Sequence, residues 1–129
     1  AHNPHAAKSL ASNLKNTETT GRTIAVFAML ADKDITGVVQ ALADEIDVWY
    51  VSGISHVRGA DGELIKRLVH DQLPYAGIRL FEGIANAYEQ ACIDADENDR
   101  IIILGSFFTV AEVMRVIQTA SFRTQPKNT

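Results

Sequence analysis

Short apolar runs alternate along this chain with stretches in which apolar residues recur every three or four positions. The runs are TIAVFAM (23–29), DVWYVS (47–52), IRLFE (78–82) and RIIILG (100–105), all rich in β-branched or aromatic residues and without clean polar alternation. That pattern predicts four strands covered on both faces. Between them, Ala7, Leu10, Ala11 and Leu14 follow the spacing of an amphipathic helix. So do Ile35, Val38, Val39 and Leu42, then Ile84, Ala87, Tyr88 and Ala91, and finally Val110, Val113, Met114 and Ile117. Leu64, Ile65, Leu68 and Val69 give a shorter version. Helices interleaved with apolar strands in this way predict an α/β fold, a Rossmann-like, mostly parallel sheet flanked by helices. Residues 1–121 are expected to form one domain, and 122–129, where the periodicity stops, a flexible tail.

Composition narrows the function classes. A chain of 129 residues can bury a sizeable core without a disulfide or a metal. With 47% hydrophobic and 22% charged residues it reads as an ordinary globular domain. The net charge of −4 and the lack of a basic stripe argue against nucleic acid as a partner. The longest apolar stretch, IAVFAMLA at 24–31, is far short of the roughly 20 residues that span a bilayer. No signal-peptide pattern is visible, and the lone Cys92 fits a reducing, cytoplasmic compartment. The histidines and Cys92 show no metal-ligand spacing, and GxSxG, GxGxxG and GxxxxGK[ST] are all missing. No complete catalytic apparatus and no metal site are expected in this chain.

In a parallel sheet, ligands bind at the carboxyl ends of the strands, so the strand-to-helix junctions carry the candidate chemistry. In GSFFTVAEV, Thr109 and Glu112 have the spacing of a capping box. Gly105-Ser106 turns the chain off the strand, and the helix amino end with the Ser106 hydroxyl beside it suits a carboxylate or a phosphate. The same residues also read as a plain capped helix with Phe107 and Phe108 in the core. In AHNP, Asn3 is a good N-cap and Pro4 suits the first helical position. His2 then lies at a helix mouth, where it can serve an anion or be an ordinary surface histidine. After the first strand comes ADKD: Asp34 can cap the next helix, while Asp32 and Lys33 either meet a charged substrate or form a solvated cluster. The loop SGISHVRGAD, with His56, Arg58 and Gly59, is a mobile flap or a connector. His70 and Cys92 receive no role.

Taken in order, AHNPHAA, VFAMLADKD, Trp49-Tyr50, Arg58-Gly59-Ala60 and GSFFTVAEVM resemble the C-terminal domain of the bacterial folylpolyglutamate synthase/dihydrofolate synthase family, within the Mur ligase superfamily. The resemblance runs from Ala1 to about Ile117. It implies an ATP-dependent amide ligase that activates a pterin carboxylate as an acyl phosphate, which the amino group of L-glutamate attacks. Dihydropteroate would give dihydrofolate, and a tetrahydrofolate-type γ-carboxylate would give a longer polyglutamate tail. The family's N-terminal domain carries the P-loop, the Mg²⁺ ligands and most of the pterin site, so ATP and Mg²⁺ would be bound mainly outside this chain. The family motif is Asp-x-Ala-His-Asn-Pro, whose aspartate would fall two residues before Ala1. On that footing AHNPHAA is the second half of a nucleotide-side motif, and the chain is expected to be one domain of a longer enzyme, inactive by itself. The resemblance places His2 and Asn3 on the ATP side, Ser106 in the glutamate pocket with Phe107 and Phe108 beside it, and Asp32 and Lys33 in the same cleft. Phe108 stands where relatives can carry a polar ring such as tyrosine or histidine, a departure that removes any side-chain hydrogen bond there. Two other readings stay open: a stand-alone α/β small-ligand-binding or receiver-like module, and a structural domain with an inert sheet rim. A receiver needs a phosphorylatable aspartate after a middle strand and a lysine at a late strand end, and DVWYVS, IRLFEG and RIIILGS supply neither.

Overall fold

The computed structural model describes residues 4–17, 20–54, 58–105 and 107–124, the side chains of 107, 108 and 119–124 excepted. The elements run α1 (Pro4–Asn16), β1 (Thr23–Ala28), α2 (Ile35–Leu42), β2 (Val48–Ser52), α3 (Gly62–Gln72), β3 (Gly77–Phe81), α4 (Ile84–Asp94), β4 (Arg100–Gly105) and α5 (Phe107–Thr124). The strands form one sheet in the order β3-β2-β1-β4, and every neighbouring pair is parallel. The expected α/β architecture is therefore the observed one. The strand positions agree with the apolar runs to within a residue at each end.

Burial follows the pattern strand by strand. β1, the inner strand between β2 and β4, is buried along its whole length. β3 departs from the expectation of cover on both faces: Gly77 and Arg79 are exposed and Ile78, Leu80 and Phe81 half-buried, because β3 is an edge strand. Its side chains alternate across the sheet. Leu80 meets the start of α3 at Gly62, while Arg79 reaches Asp94 at the end of α4, so α3 and α4 cover opposite faces. On the first face α1, α2 and α3 pack side by side, and on the second α4 crosses β1, β2 and β3 and leans on α5, which flanks β4. Ile35, Val38, Val39 and Leu42 of α2 are all buried, as their spacing requires. Phe27 and Trp49 meet edge to face, with centroids 5.3 Å apart, on the inner strands.

Two expectations about α5 need correction. Of Val110, Val113, Met114 and Ile117, only Val113 is buried, and Met114 is 55% exposed. α5 lies against the outermost strand and one neighbouring helix, so a single residue of that ridge reaches the core. The helix also continues to Thr124, past the boundary expected at residue 121.

Polar groups at the amino ends of the strands are committed to structure. Arg100 donates from Nε to Thr23 Oγ1 at 2.6 Å and from its two terminal nitrogens to the carbonyls of Thr17 and Leu14. It thereby satisfies carbonyls that the end of α1 leaves open. Asp99 accepts from the Arg22 amide at 2.7 Å, the Arg22 guanidinium at 3.0 Å and the Asp96 amide at 2.9 Å. These amide hydrogen bonds, with the guanidinium, hold the Asp99 carboxyl below the usual range. On the α4 face, Asp94 accepts from the Tyr50 hydroxyl, from Gln90 and from Arg79, and its carboxyl is likewise held low, chiefly by Tyr50.

Candidate functional site

The opposite rim is built differently. The chain leaves β1 toward α2 and β2 on one side, and leaves β4 toward α5 on the other face. The carboxyl ends of β1 and β4 are thus a topological switch point, where open α/β sheets leave a crevice for a ligand.

Gly105 makes the turn out of β4. Its φ of +126° belongs to the region glycine occupies without strain. A Cβ at this position would stand 1.6 Å from the carbonyl oxygen of Ala28, the residue beside it on β1. Only glycine allows β1 and β4 to close this tightly at the rim. The first turn of α5 is fastened to the same atom, since the buried Thr109 hydroxyl donates to Ala28 O at 2.8 Å. Thr109 is therefore not the N-cap its spacing with Glu112 suggested. The helix starts earlier, at Phe107, and Glu112 pairs instead with Arg115 at 2.6 Å. Physically, the glycine turn brings the chain into helical geometry at once, which leaves Thr109 inside the helix and facing the end of β1.

The loop after β1 is held from two sides. Asp34 caps α2, accepting the Gly37 amide at 2.9 Å, as expected. Pro4, the first residue of α1, packs against Gly37: a Cβ there would lie 2.7 Å from Pro4 Cγ. α1 and α2 thus begin at the same rim. From the other side, residues 58–60 run antiparallel to 29–31. Leu30 and Gly59 form a bridge, the Ala31 amide donates to Arg58 O at 2.7 Å, and the Ala60 amide donates to Met29 O at 2.9 Å. This clasp carries Arg58 to Asp32, with Nη2 and Oδ2 2.5 Å apart and both side chains 53% exposed. The Arg58 hydrogen bond holds the Asp32 carboxyl below its ordinary range. Lys33, next along the loop and exposed, adds to that field.

Of the residues expected in the site, Asp32 and Lys33 lie on this rim beside the switch point. The backbones of Phe107 and Phe108 open α5 at the same place, while their side chains lie outside the described residues. His2, Asn3 and Ser106 also lie outside the described residues. Their flanking neighbours, Pro4 and Gly105, are both on this rim. The residue that sequence reasoning left out is Arg58. Its loop was an open choice between flap and connector, and only the pairing of 58–60 with 29–31 shows that its guanidinium completes the β1–α2 loop. Two hollows open on the same rim. One of about 670 Å³ lies over the ends of β2 and β3, lined by Gly53, Asp61, Glu63, Phe81 and Gly83. One of about 200 Å³ lies between α4 and α5, lined by Ile54, Ile84, Glu112 and Arg115. Neither of these two is lined by Asp32 or Lys33. Among the described residues no cluster of three or more histidine, cysteine or carboxylate side chains could hold a metal ion. No helix among them is long and apolar enough to cross a membrane.

Comparison with known proteins matches residues 1–107 to the family model described as "Mur ligase, glutamate ligase domain". The dihydrofolate synthase/folylpolyglutamate synthase of Escherichia coli K12 is 40% identical over 118 residues, which is 91% of this chain and 26% of the relative. The solved structure of E. coli FolC in complex with DHPP and ADP superposes with a TM-score of 0.86 at 38% identity, covering 93% of this chain and 28% of that one. A bifunctional folylpolyglutamate synthase/dihydrofolate synthase solved with Mn, AMPPNP and L-glutamate bound gives a TM-score of 0.79 at 38% identity, covering 92% and 27%. The chain thus spans about a quarter of the length of the relatives it matches.

Proposed function

The chain belongs to the family of Mur ligase glutamate ligase domains, and from that premise we propose that it is the glutamate-side half of an ATP-dependent ligase that adds L-glutamate to dihydropteroate, to a folylpolyglutamate, or to both. The observation that carries this reading is the gathering of three helix starts, those of α1, α2 and α5, with the Asp32–Lys33 loop around the switch between β1 and β4. Relatives at 38–40% identity are synthases of this kind, one of them solved with AMPPNP and L-glutamate together.

The chemistry follows from what such a rim offers. A helix start carries a partial positive charge, which favours an anion, although at α2 the Gly37 amide is already taken by the Asp34 cap. Lys33 adds a full positive charge. Glutamate enters with its carboxylates on this rim, and Ser106, with the amides of Phe107 and Phe108, supplies the hydrogen bonds on the α5 side. We assign His2 and Asn3, which precede Pro4 in the sequence, to the nucleotide side, as the family resemblance implies. A cationic surrounding also favours the neutral form of the substrate's amino group, the form that attacks. The substrate carboxylate first takes the γ-phosphoryl group of ATP and ADP is released; the amine nitrogen then adds to the carbonyl carbon of the acyl phosphate, loses a proton and expels phosphate, which leaves the amide. ATP and Mg²⁺ would be held chiefly by an N-terminal ATP-binding domain, as the family resemblance implies, which closes on this rim and excludes water. We place the reaction in the cytoplasm, where the thiol of the exposed Cys92 stays reduced.

The test is phosphate release by the complete gene product with ATP, L-glutamate and dihydropteroate or tetrahydrofolate, beside the same assay on residues 1–129 alone. Turnover that needs all three substrates in the complete protein, and none from the short chain, is the expected result. Ligation by the short chain alone, or a complete protein indifferent to glutamate, would overturn the reading.

A further inference from the structure

We propose that Arg58 is a positioning residue for glutamate binding: it occupies Asp32 as a counter-ion and so leaves the Lys33 ammonium for the substrate carboxylate. This rests on the functional reading above and deepens it. Asp32 and Lys33 are adjacent on an exposed loop, and Lys33 forms no ion pair with a described residue. Asp32 lies in the field of Lys33, so without a second cation its carboxylate would compete directly with the incoming one. Arg58 removes that competitor, reaching Oδ2 of Asp32 at 2.5 Å from a loop 26 residues further along the chain. The placement is built in rather than incidental. The backbone hydrogen bonds at Ala31 and Ala60 and the Leu30–Gly59 bridge fix the position of Arg58 against this loop. The pair is too exposed to matter much for folding, since ion pairs half open to solvent contribute little. Its consequence is the sign of the rim. With the pair formed, Arg58 neutralises Asp32 and the Lys33 charge is left over, while the Asp34 carboxylate is turned to the start of α2, where it accepts the Gly37 amide. With Arg58 neutralised, Asp32 and Lys33 cancel.

The experiment is steady-state kinetics of the complete ligase carrying R58Q, R58K, K33M or the double substitution D32N/R58Q, with melting temperatures measured alongside. One unit of charge lost close to the substrate in a partly solvated site should raise KM for glutamate about ten-fold in R58Q, with kcat and KM for ATP changed less than about two-fold. R58K, which keeps the charge and loses the fork, should fall between. The decisive variant is D32N/R58Q: removing the carboxylate removes the need for its counter-ion, so most of the loss in R58Q should be recovered. A residue that merely braced the loop, or that touched glutamate directly, would show no such recovery. The proposal is overturned if R58Q leaves KM for glutamate unchanged, if the double substitution stays as impaired as R58Q, or if R58Q lowers the melting temperature by an amount D32N does not restore. K33M separates the two levels. If K33M does not raise KM for glutamate, the assignment of Lys33 to the substrate fails, whereas a K33M effect without an R58Q effect sinks this inference alone.

Discussion

Gly105→Ala places a methyl group where the structure has a wall. Two costs combine. The first is conformational: a φ of +126° is strained for any residue with a Cβ, at about 1–3 kcal/mol. The second is steric. The new carbon would lie 1.6 Å from Ala28 O, and a contact of that length cannot persist, so the ends of β1 and β4 must part by more than an ångström. That movement weakens the last β1–β4 pairing and pulls Ala28 O away from the Thr109 hydroxyl, a buried hydrogen bond whose loss costs about 1–2 kcal/mol. Together the loss comes to about 4 kcal/mol, a large share of the stability of a small domain. For 129 residues this lowers Tm by about 15 °C. Gly83→Ala is the internal control. Gly83 also has a positive φ, +89°, but nothing lies within 4 Å of the position its Cβ would take. Only the conformational cost applies there, and a loss of about 1–2 kcal/mol is expected. Urea unfolding of the two variants beside the parent chain measures both. Equal losses at the two glycines would refute the steric reasoning and remove Ala28 O as the atom that fixes the start of α5.

Thr109→Val keeps the shape of the side chain and deletes the donor to Ala28 O, so it should cost about 1–2 kcal/mol in the same assay. Val113→Ala, in the core, should cost about 2 kcal/mol, whereas Met114→Gln, one residue along and 55% exposed, should change stability by less than about 0.5 kcal/mol. Stability should also depend on acid through Asp99. Its folded-state pKa lies below the ordinary 3.8, so the unfolded chain binds more protons there. Its contribution is whole above that ordinary value and is lost as pH falls through the lower folded value. Asp99→Asn should therefore be less stable near neutrality and show a shallower loss below about pH 4, followed by circular dichroism across a pH series.

Which features were legible in the sequence follows from the range of the forces involved. β4 was read at 100–105 and α2 by its four apolar positions, because a strand and a helix buried in one core write their own period into the chain. The Asp34 cap was equally readable, since its partner, the Gly37 amide, is three residues away. Failures came where the deciding contact spans a long stretch of chain. Thr109 and Glu112 have capping-box spacing, yet the Thr109 hydroxyl serves Ala28, 81 residues earlier, and the glycine turn sets the helix start. Val110, Met114 and Ile117 have a core-facing period, but period cannot say whether another layer lies beyond the helix. β3 looked like a covered strand because its edge position depends on sheet order, which no local pattern encodes. Arg58 went unassigned for the same reason. Its partner Asp32 belongs to a different loop, and the two meet only because residues 58–60 pair with the extension of β1. The rim itself was legible: strand-to-helix junctions gather at the carboxyl edge of any parallel sheet, and the resemblance named which of them to watch.

The most direct measurement of the central claim is hydrogen–deuterium exchange on the complete ligase with a non-hydrolysable ATP analogue, recorded with and without saturating L-glutamate. A glutamate seat at the β1–β4 switch predicts slowed exchange of amides in 30–35, 58–60 and the first turn of α5, with the Arg22–Asp99 end of the sheet unchanged. Protection appearing at that amino end instead, or glutamate binding that leaves all three of those segments exchanging at their free rates, would contradict it.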